Sequence, residues 1–318
     1  MFTYEIKTDK KDGHEYIEIT GYEGSVAHLI VPEEIDGIRV EAIGNHSFSG
    51  RNDLVSVDLP ESIRTLYGFA FHNCRNLKKI SLYDSIDDYY DGVCRQCDSL
   101  REVDISIKRD WYEVVRNFLA DNDRTLRFVL RIQEQPEEKN LSPAGFHTAV
   151  LTFPEYVYDF NENTMARTIQ FSIEGSGMFY RECVDRRSMD YRGYDRLFEK
   201  ALIDGNAVSE DIAIGRVLYP VELADNFRDM YENYISKNAE SILLRLVESV
   251  EAEPETLELI KALLTYKKKS PKGESLLSEE SVDKAIRVAA DKKLTVLSAQ
   301  LMELSKRGPA PVPEVFTF

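Results

Sequence analysis

Residues 54–60 read LVSVDLP, residues 77–83 LKKISLY and residues 100–106 LREVDIS. Leu54, Leu77 and Leu100 stand 23 residues apart, as do Val57, Ile80 and Val103, and then Leu59, Leu82 and Ile105. Within each stretch apolar residues alternate with polar ones, the period of a strand that buries one face. Strands this short cannot bury that face alone. Units stacked at about 4.8 Å can, because the Leu, Val and Ile columns then merge into one core.

The spacing continues outward from these stretches. Val40, Ile63 and Ile86 share a column, as do Ile43, Leu66 and Tyr89, then Phe48, Phe71 and Cys94, and finally Cys74 with Cys97. They form a return path with bends at Pro60 and Gly68. EEIDGIR, residues 33–39, adds five residues to the first unit, which a turn through Asp36-Gly37 accommodates. Residues 2–7 and 15–20 alternate around Asp12-Gly13 and predict a hairpin over the first rung. At the far end the 23-residue step reaches Leu126 from Val103 and Phe128 from Ile105. Between them DWYEVVRNFLADN places Trp111, Val114, Val115 and Phe118 at helical spacing, predicting a last rung with a helical return.

The stretches VPEEIDGIRVEAIGNHSF, VDLPESIRTLYGFAFHNCRNL and ISLYDSIDDYYDGVCRQCDSL, within residues 15–105, resemble the BspA-like leucine-rich repeat family, found in many bacterial proteins. The family's apolar-aromatic step stands as Ala70-Phe71 and weakens to Val93-Cys94. The resemblance implies a solenoid that binds partners on its strand face. Family members are often secreted or surface-attached.

Acidic residues outnumber basic ones by 56 to 40 in 318, a net charge of -16. Phosphate backbones select for Lys and Arg, so this balance disfavours nucleic acid, and anionic membranes likewise. The opening MFTYEIKTDKKDG lacks a signal-peptide core, and no apolar run is long enough to span a bilayer. The expectation is a cytoplasmic chain without membrane insertion.

Residues 133–145 are polar and carry two prolines, marking a linker or surface loop. HTAVLTF, ARTIQFSI and MFYREC read as strands of a small β-layer, with Gly175-Ser176-Gly177 as a hairpin turn. From Tyr191 onward, seven segments carry apolar residues at i, i+3 and i+4. Ser209 and Ser278 occupy expected N-caps, Pro254 a first helical position, and Gly308-Pro309 a stop. SVDKAIRVAADKKLTVLSAQLMEL resembles the two helices of an ankyrin repeat at Ala285, Ala289, Val296, Leu297 and Leu301, without that family's Thr-Pro-Leu-His opening or inter-helix glycine. The fold class is therefore α+β, a short leucine-rich-repeat β-solenoid followed by an all-α stack of helical hairpins. The expected organisation is a repeat domain at 1–132, a linker and β-layer at 133–190, a helical-pair domain at 191–308 and a tail at 309–318.

Catalytic, cofactor and metal signatures are missing from the sequence. Cys94-Arg95-Gln96-Cys97 has no second C-x-x-C or paired histidine at metal spacing, so its thiols read as small packing groups. His14, His28, His46, His72 and His147 are scattered. Gly175-Ser176-Gly177 lacks the third glycine of a dinucleotide loop. Lys267, Lys268, Lys269 and Lys272 around Ser270-Pro271 read as a solvated loop. Two surfaces remain as partner-binding candidates. Ser56, Asp58, Lys79, Ser81, Glu102 and Asp104 point outward from the repeat strands, either as a binding face or as a solvated one with Lys79 paired to Glu102. Tyr180, Arg181, Arg186, Arg187, Tyr191, Arg192 and Tyr194 form an Arg/Tyr segment. It suits an interdomain seam, in which the arginines pair with Asp185, Asp190 and Asp195, or an acidic partner. The sequence thus points to a non-enzymatic scaffold or adaptor that binds another protein without a cofactor. The alternative is a glycan or small acidic ligand held by segment 178–198.

Overall fold

A computed structural model describes residues 1–134, 145–163, 168–269 and 273–306. Most of the expected 133–145 linker, Lys272 with Ser270-Pro271, the Gly308-Pro309 stop and the 309–318 tail lie outside the described residues. The chain divides into two compact units, Met1–Ile212 and Ala213–Phe318.

The first unit is a solenoid with two strands per turn. One sheet runs β1 (Phe2–Thr8), β2 (Glu15–Tyr22), β5 (Ile38–Ile43), β7 (Thr65–Leu66) and β9 (Asp88–Tyr89), parallel from β2 onward. The expected hairpin is β1 lying antiparallel on β2. β4 (Glu34–Ile35) pairs back onto β5 through Asp36 and Gly37, both at positive φ, the two-residue turn that absorbs the extra residues. The other sheet stacks β3 (His28–Ile30), β6 (Ser56–Asp58), β8 (Lys79–Tyr83), β10 (Glu102–Ile107) and β11 (Leu126–Gln133) in parallel. Leu54, Val57, Leu77, Ile80, Val103 and Ile105 are buried between the sheets with Ile63, Leu66, Phe48 and Phe71 from the return path.

The last rung does have a helical return, α1 (Glu113–Asp121), burying Val114, Val115 and Phe118. Its register differs from the expected one. Val103 pairs with Phe128 and Ile105 with Leu130, a step of 25 residues rather than 23. A slip of two leaves every side chain on its original face, so the alternating pattern could not distinguish the two registers.

Between strands the chain turns through left-handed residues in two columns. His46, Phe69 and Gly92 have φ of 55°, 57° and 71°; Gly50, Asn73 and Gln96 have 74°, 58° and 61°. Each turn donates backbone N–H to the next, Phe48 to Ala70 O at 2.8 Å and Phe71 to Val93 O at 2.8 Å. Phe69 stacks on His46 at 5.0 Å, and a Cβ at Gly92 would lie 2.6 Å from the Phe69 ring. Gly92→Ala combines a disfavoured φ with this clash, and about 2–3 kcal/mol of stability should be lost. A urea midpoint shift with unchanged slope measures it.

Beyond β11 the sheet gains β12 (Phe146–Phe153), antiparallel, so the middle segment extends the solenoid. β13 (Val157–Asn163), which the sequence did not suggest, pairs with β14 (Thr168–Glu174). MFYREC is no strand. It lies largely in α2 (Gly177–Arg181), and Gly175-Ser176-Gly177 leads from β14 into that helix instead of closing a hairpin. Over so few residues a period of 2 cannot be told from one of 3.6. The first expected helix is interrupted at Leu197, giving α3 (Tyr191–Arg196) and α4 (Phe198–Asp204). Gly205, at φ 130°, turns the chain directly into α5 (Asn206–Leu218). Ser209 therefore lies inside α5, its hydroxyl donating to Ala201 O at 2.8 Å, and caps nothing.

The second unit holds the end of α5, α6 (Asp225–Lys237), α7 (Ala239–Ser249), α8 (Thr256–Thr265), α9 (Glu279–Asp291) and α10 (Thr295–Lys306). α7 packs on α8 and α9, and α10 closes on both. Ser278 caps α9 as expected, accepting from Ser281 N, whereas Pro254 precedes α8 by two residues. Glu232 on α6 is buried and accepts from Tyr266 Oη at 2.7 Å, and Lys269 pairs with Asp225. In the last helix pair Ala285, Ala289, Leu297 and Leu301 are buried, but Val296 is 70% exposed. The hairpin packing is present; the ankyrin likeness extends no further than that.

Candidate functional site

Parallel register sets the outward side chains of the strand sheet in rows. Ser56, Lys79, Glu102 and Arg127 lie side by side, and Asp58, Ser81, Asp104 and Val129 form the next row. All six expected face residues are therefore brought together. Lys79 Nζ lies 2.8 Å from Glu102 and 3.8 Å from Asp104. Arg127 donates to Glu102, and Arg131 grips Asp104 with two bonds, at 2.9 and 2.5 Å. Asp104 is buried beneath these cations, whereas Ser56, Asp58 and Ser81 stay half-buried, the Ser56 hydroxyl bonding the His28 ring at 2.8 Å. Neither arginine was singled out in the sequence, although the 23-residue step already puts Arg127 in the row of Asp104. The two-residue slip sets it beside Glu102 and brings Arg131 within reach of Asp104. The result is a fixed lattice of alternating charge whose ions largely satisfy one another.

The Arg/Tyr segment is arranged differently. Tyr180, Tyr191 and Tyr194 are buried. Tyr194 Oη donates to Thr152 O at 2.6 Å and accepts from Thr152 N at 3.0 Å, occupying the edge of β12 as a further strand would. Its ring packs between Phe153 and Tyr180. Among the described residues no carboxylate bonds Arg181, although Asp123 lies near enough to favour its charge. Its guanidinium donates to the carbonyls of Pro154, Asn122, Arg124, Gly177 and Leu119 at 2.6–3.4 Å and lies 4.8 Å from the Tyr156 ring. Burial lowers its pKa to about 10, which leaves it protonated at neutral pH. Arg186 reaches Glu113 at 3.4 Å and Arg187 lies over Trp111, both at the α1 end of the solenoid; Arg192 is exposed. Asp190 caps α3 and Asp185 accepts from the Arg186 backbone, so Arg181 is tied to carbonyls and not to either of these two carboxylates. Rings buried this way cannot stack on a sugar.

Residues 25–114 match the BspA type leucine-rich repeat region in six copies. That stretch of the solenoid is a BspA-type leucine-rich repeat array. Among solved structures, a leucine rich cell surface protein from Faecalibacterium prausnitzii is 19% identical over 34% of this chain and 37% of its own, with a TM-score of 0.27. A leucine-rich repeat protein from Bacteroides ovatus is 14% identical over 33% and 48%, at 0.21. The T. pallidum leucine rich repeat protein is 22% identical over 32% and 68%, at 0.23. The chain thus spans less than half the length of the first two. No curated protein matches it. Among the described residues no helix is long and apolar enough to cross a membrane.

Within the repeat array the cysteines pack as expected. Cys74 Sγ donates to Phe48 O and Cys97 Sγ to Phe71 O, each at 3.0 Å, one turn back. Burial raises the Cys94 thiol, and pushes Cys183, outside the array, up to about 12. Thiol reagent at neutral pH should leave all four cysteines unmodified in the folded protein and label them only in denaturant. Mass spectrometry of the quenched reaction checks this. At the exposed β1–β2 turn Asp9, Asp12 and His14 bring ligand atoms within 4.8 Å of one another, a grouping not singled out in the sequence. Both ring nitrogens of His14 are already engaged, by Asp12 at 2.6 Å and Glu41 at 3.1 Å.

Proposed function

We propose that this chain is a non-enzymatic scaffold or adaptor that holds another protein on the outer face of the repeat strands. The observation supporting this is the charge lattice of Lys79, Glu102, Asp104, Arg127 and Arg131 beside half-buried Ser56, Asp58 and Ser81. Each lattice charge is held in place by its neighbours before a partner arrives, so little ordering entropy is lost on docking. Exposed ion pairs contribute only about 0–1 kcal/mol each, so the lattice selects a partner and its register more than it strengthens binding. Ser56, Asp58 and Ser81 offer the polar groups for new bonds. The reading calls for no cofactor and no nucleic acid.

Affinity capture from native cells tests it, comparing the wild type with Ser81→Trp, which fills the centre of the face. A protein retained by the wild type and lost with Ser81→Trp supports the reading. Loss with Arg192→Ala instead would move the contact to the Arg/Tyr segment, and repeated capture of nothing would count against a scaffold.

A further inference from the structure

β1 ends its sheet. β2 occupies one edge, and no described strand pairs with the other. Asp9 N donates to His14 O, and antiparallel ladders alternate between bonded and non-bonded pairs. Lys7 and Glu5 therefore direct their backbone groups toward Tyr16 and Glu18, leaving those of Tyr4, Ile6 and Thr8 pointing away from β2. Ile6 stands opposite Ile17 and Tyr4 opposite Ile19, both fully buried, so their side chains lie on the core-facing side of the sheet. Even so, Ile6 is 51% exposed. An open edge with an uncovered apolar residue is a template for another strand unless proline, a bulge or unpaired charge blocks it. Here the register shift lies between Thr3 and Tyr4, clear of the regular stretch, and Lys7 is already paired to Glu5.

We propose that two copies of this chain join through β1, antiparallel about a two-fold axis at Ile6. This register sets Ile6 against Ile6 and Tyr4 against Thr8, all with outward backbone groups. On the opposite face Glu5 of each copy falls beside Lys7 of the other. Centring on Glu5 would oppose like charges and use backbone groups already committed to β2. Centring on Tyr4 would run into the register shift. Charge and backbone direction thus select one arrangement, which covers Ile6 in both copies.

Sedimentation equilibrium of the full chain tests this from micromolar to millimolar concentration. The wild type should pass from monomer to dimer. Ile6→Pro removes an outward N–H while sparing the β1–β2 bonds, and should stay monomeric with an unchanged circular dichroism spectrum. Glu5→Lys and Lys7→Glu should each weaken the dimer about tenfold, and the double variant should return to within about threefold of the wild type. A single monomeric mass throughout overturns the proposal, as does a dimer indifferent to the charge changes. Should Ile6→Pro fail to fold, the charge-reversal pair still decides.

Discussion

Asp121→Ala should cost the first unit about 3–5 kcal/mol, the largest loss expected from any single polar side chain in the solenoid. In earlier turns a backbone N–H donates to a carbonyl of the turn that follows. After the third repeat α1 replaces that turn. The Asp121 carboxylate takes its place, accepting from Gly92 N at Oδ1 and from Cys94 N at Oδ2, both 3.1 Å, and from Tyr89 Oη at 2.8 Å. Burial raises its carboxyl, while the three donors pull it back down. Alanine leaves these donors inside with neither partner nor water. Asparagine keeps an acceptor and should cost about 1–2 kcal/mol. Trp111, the chain's single tryptophan, sits at the start of α1 and reports on this unit alone. Its fluorescence in urea should show an earlier midpoint for Asp121→Ala. Coincidence of the two curves would dismiss the carboxylate as a cap.

Arg181→Met should cost about 2–4 kcal/mol, because carbonyls from the end of α1, from Pro154 and from Gly177 lose a shared donor. Arg181→Lys should recover little of this. An ammonium lacks the planar fork that reaches several segments at once. The same fluorescence melt discriminates. Wild-type behaviour in Arg181→Lys would reduce the residue to a generic positive charge.

Period decided what could be read from the sequence. Columns such as Leu54–Leu77–Leu100 recur in register, and each buried position confirms the next, so the solenoid, the Asp36-Gly37 turn and the helical last rung were all legible. Where the signal was a bare alternation it failed in characteristic ways. β11 slipped by two residues without changing face, and Met178–Cys183 alternated over too short a span to reveal a helix. β13 is mostly polar and, among the described residues, pairs with β14 alone, so no apolar pattern announced it. Of the candidate face, Lys79 beside Glu102 was foreseeable from the 23-residue spacing. Arg127 too follows from that spacing, one step from Asp104, but its pairing with Glu102 and the reach of Arg131 to Asp104 depended on the hidden register. Composition alone brought the Arg/Tyr segment forward, and composition does not say whether a tyrosine faces water or a neighbouring ring.

The return-path sheet starts on the β1–β2 hairpin and finishes on Asp121 with α1, both foreign to its repeat unit. The middle is consequently interchangeable. A further 23 residues spliced between Leu77 and Leu100 would meet the same columns above and below, and neither terminus would register the change. A splice one residue longer or shorter than a whole repeat would turn every following strand inside out, unless a turn absorbed the difference as Asp36-Gly37 does. Such a chain can change its reach only in whole quanta, like a ladder to which complete rungs are added between fixed end-plates.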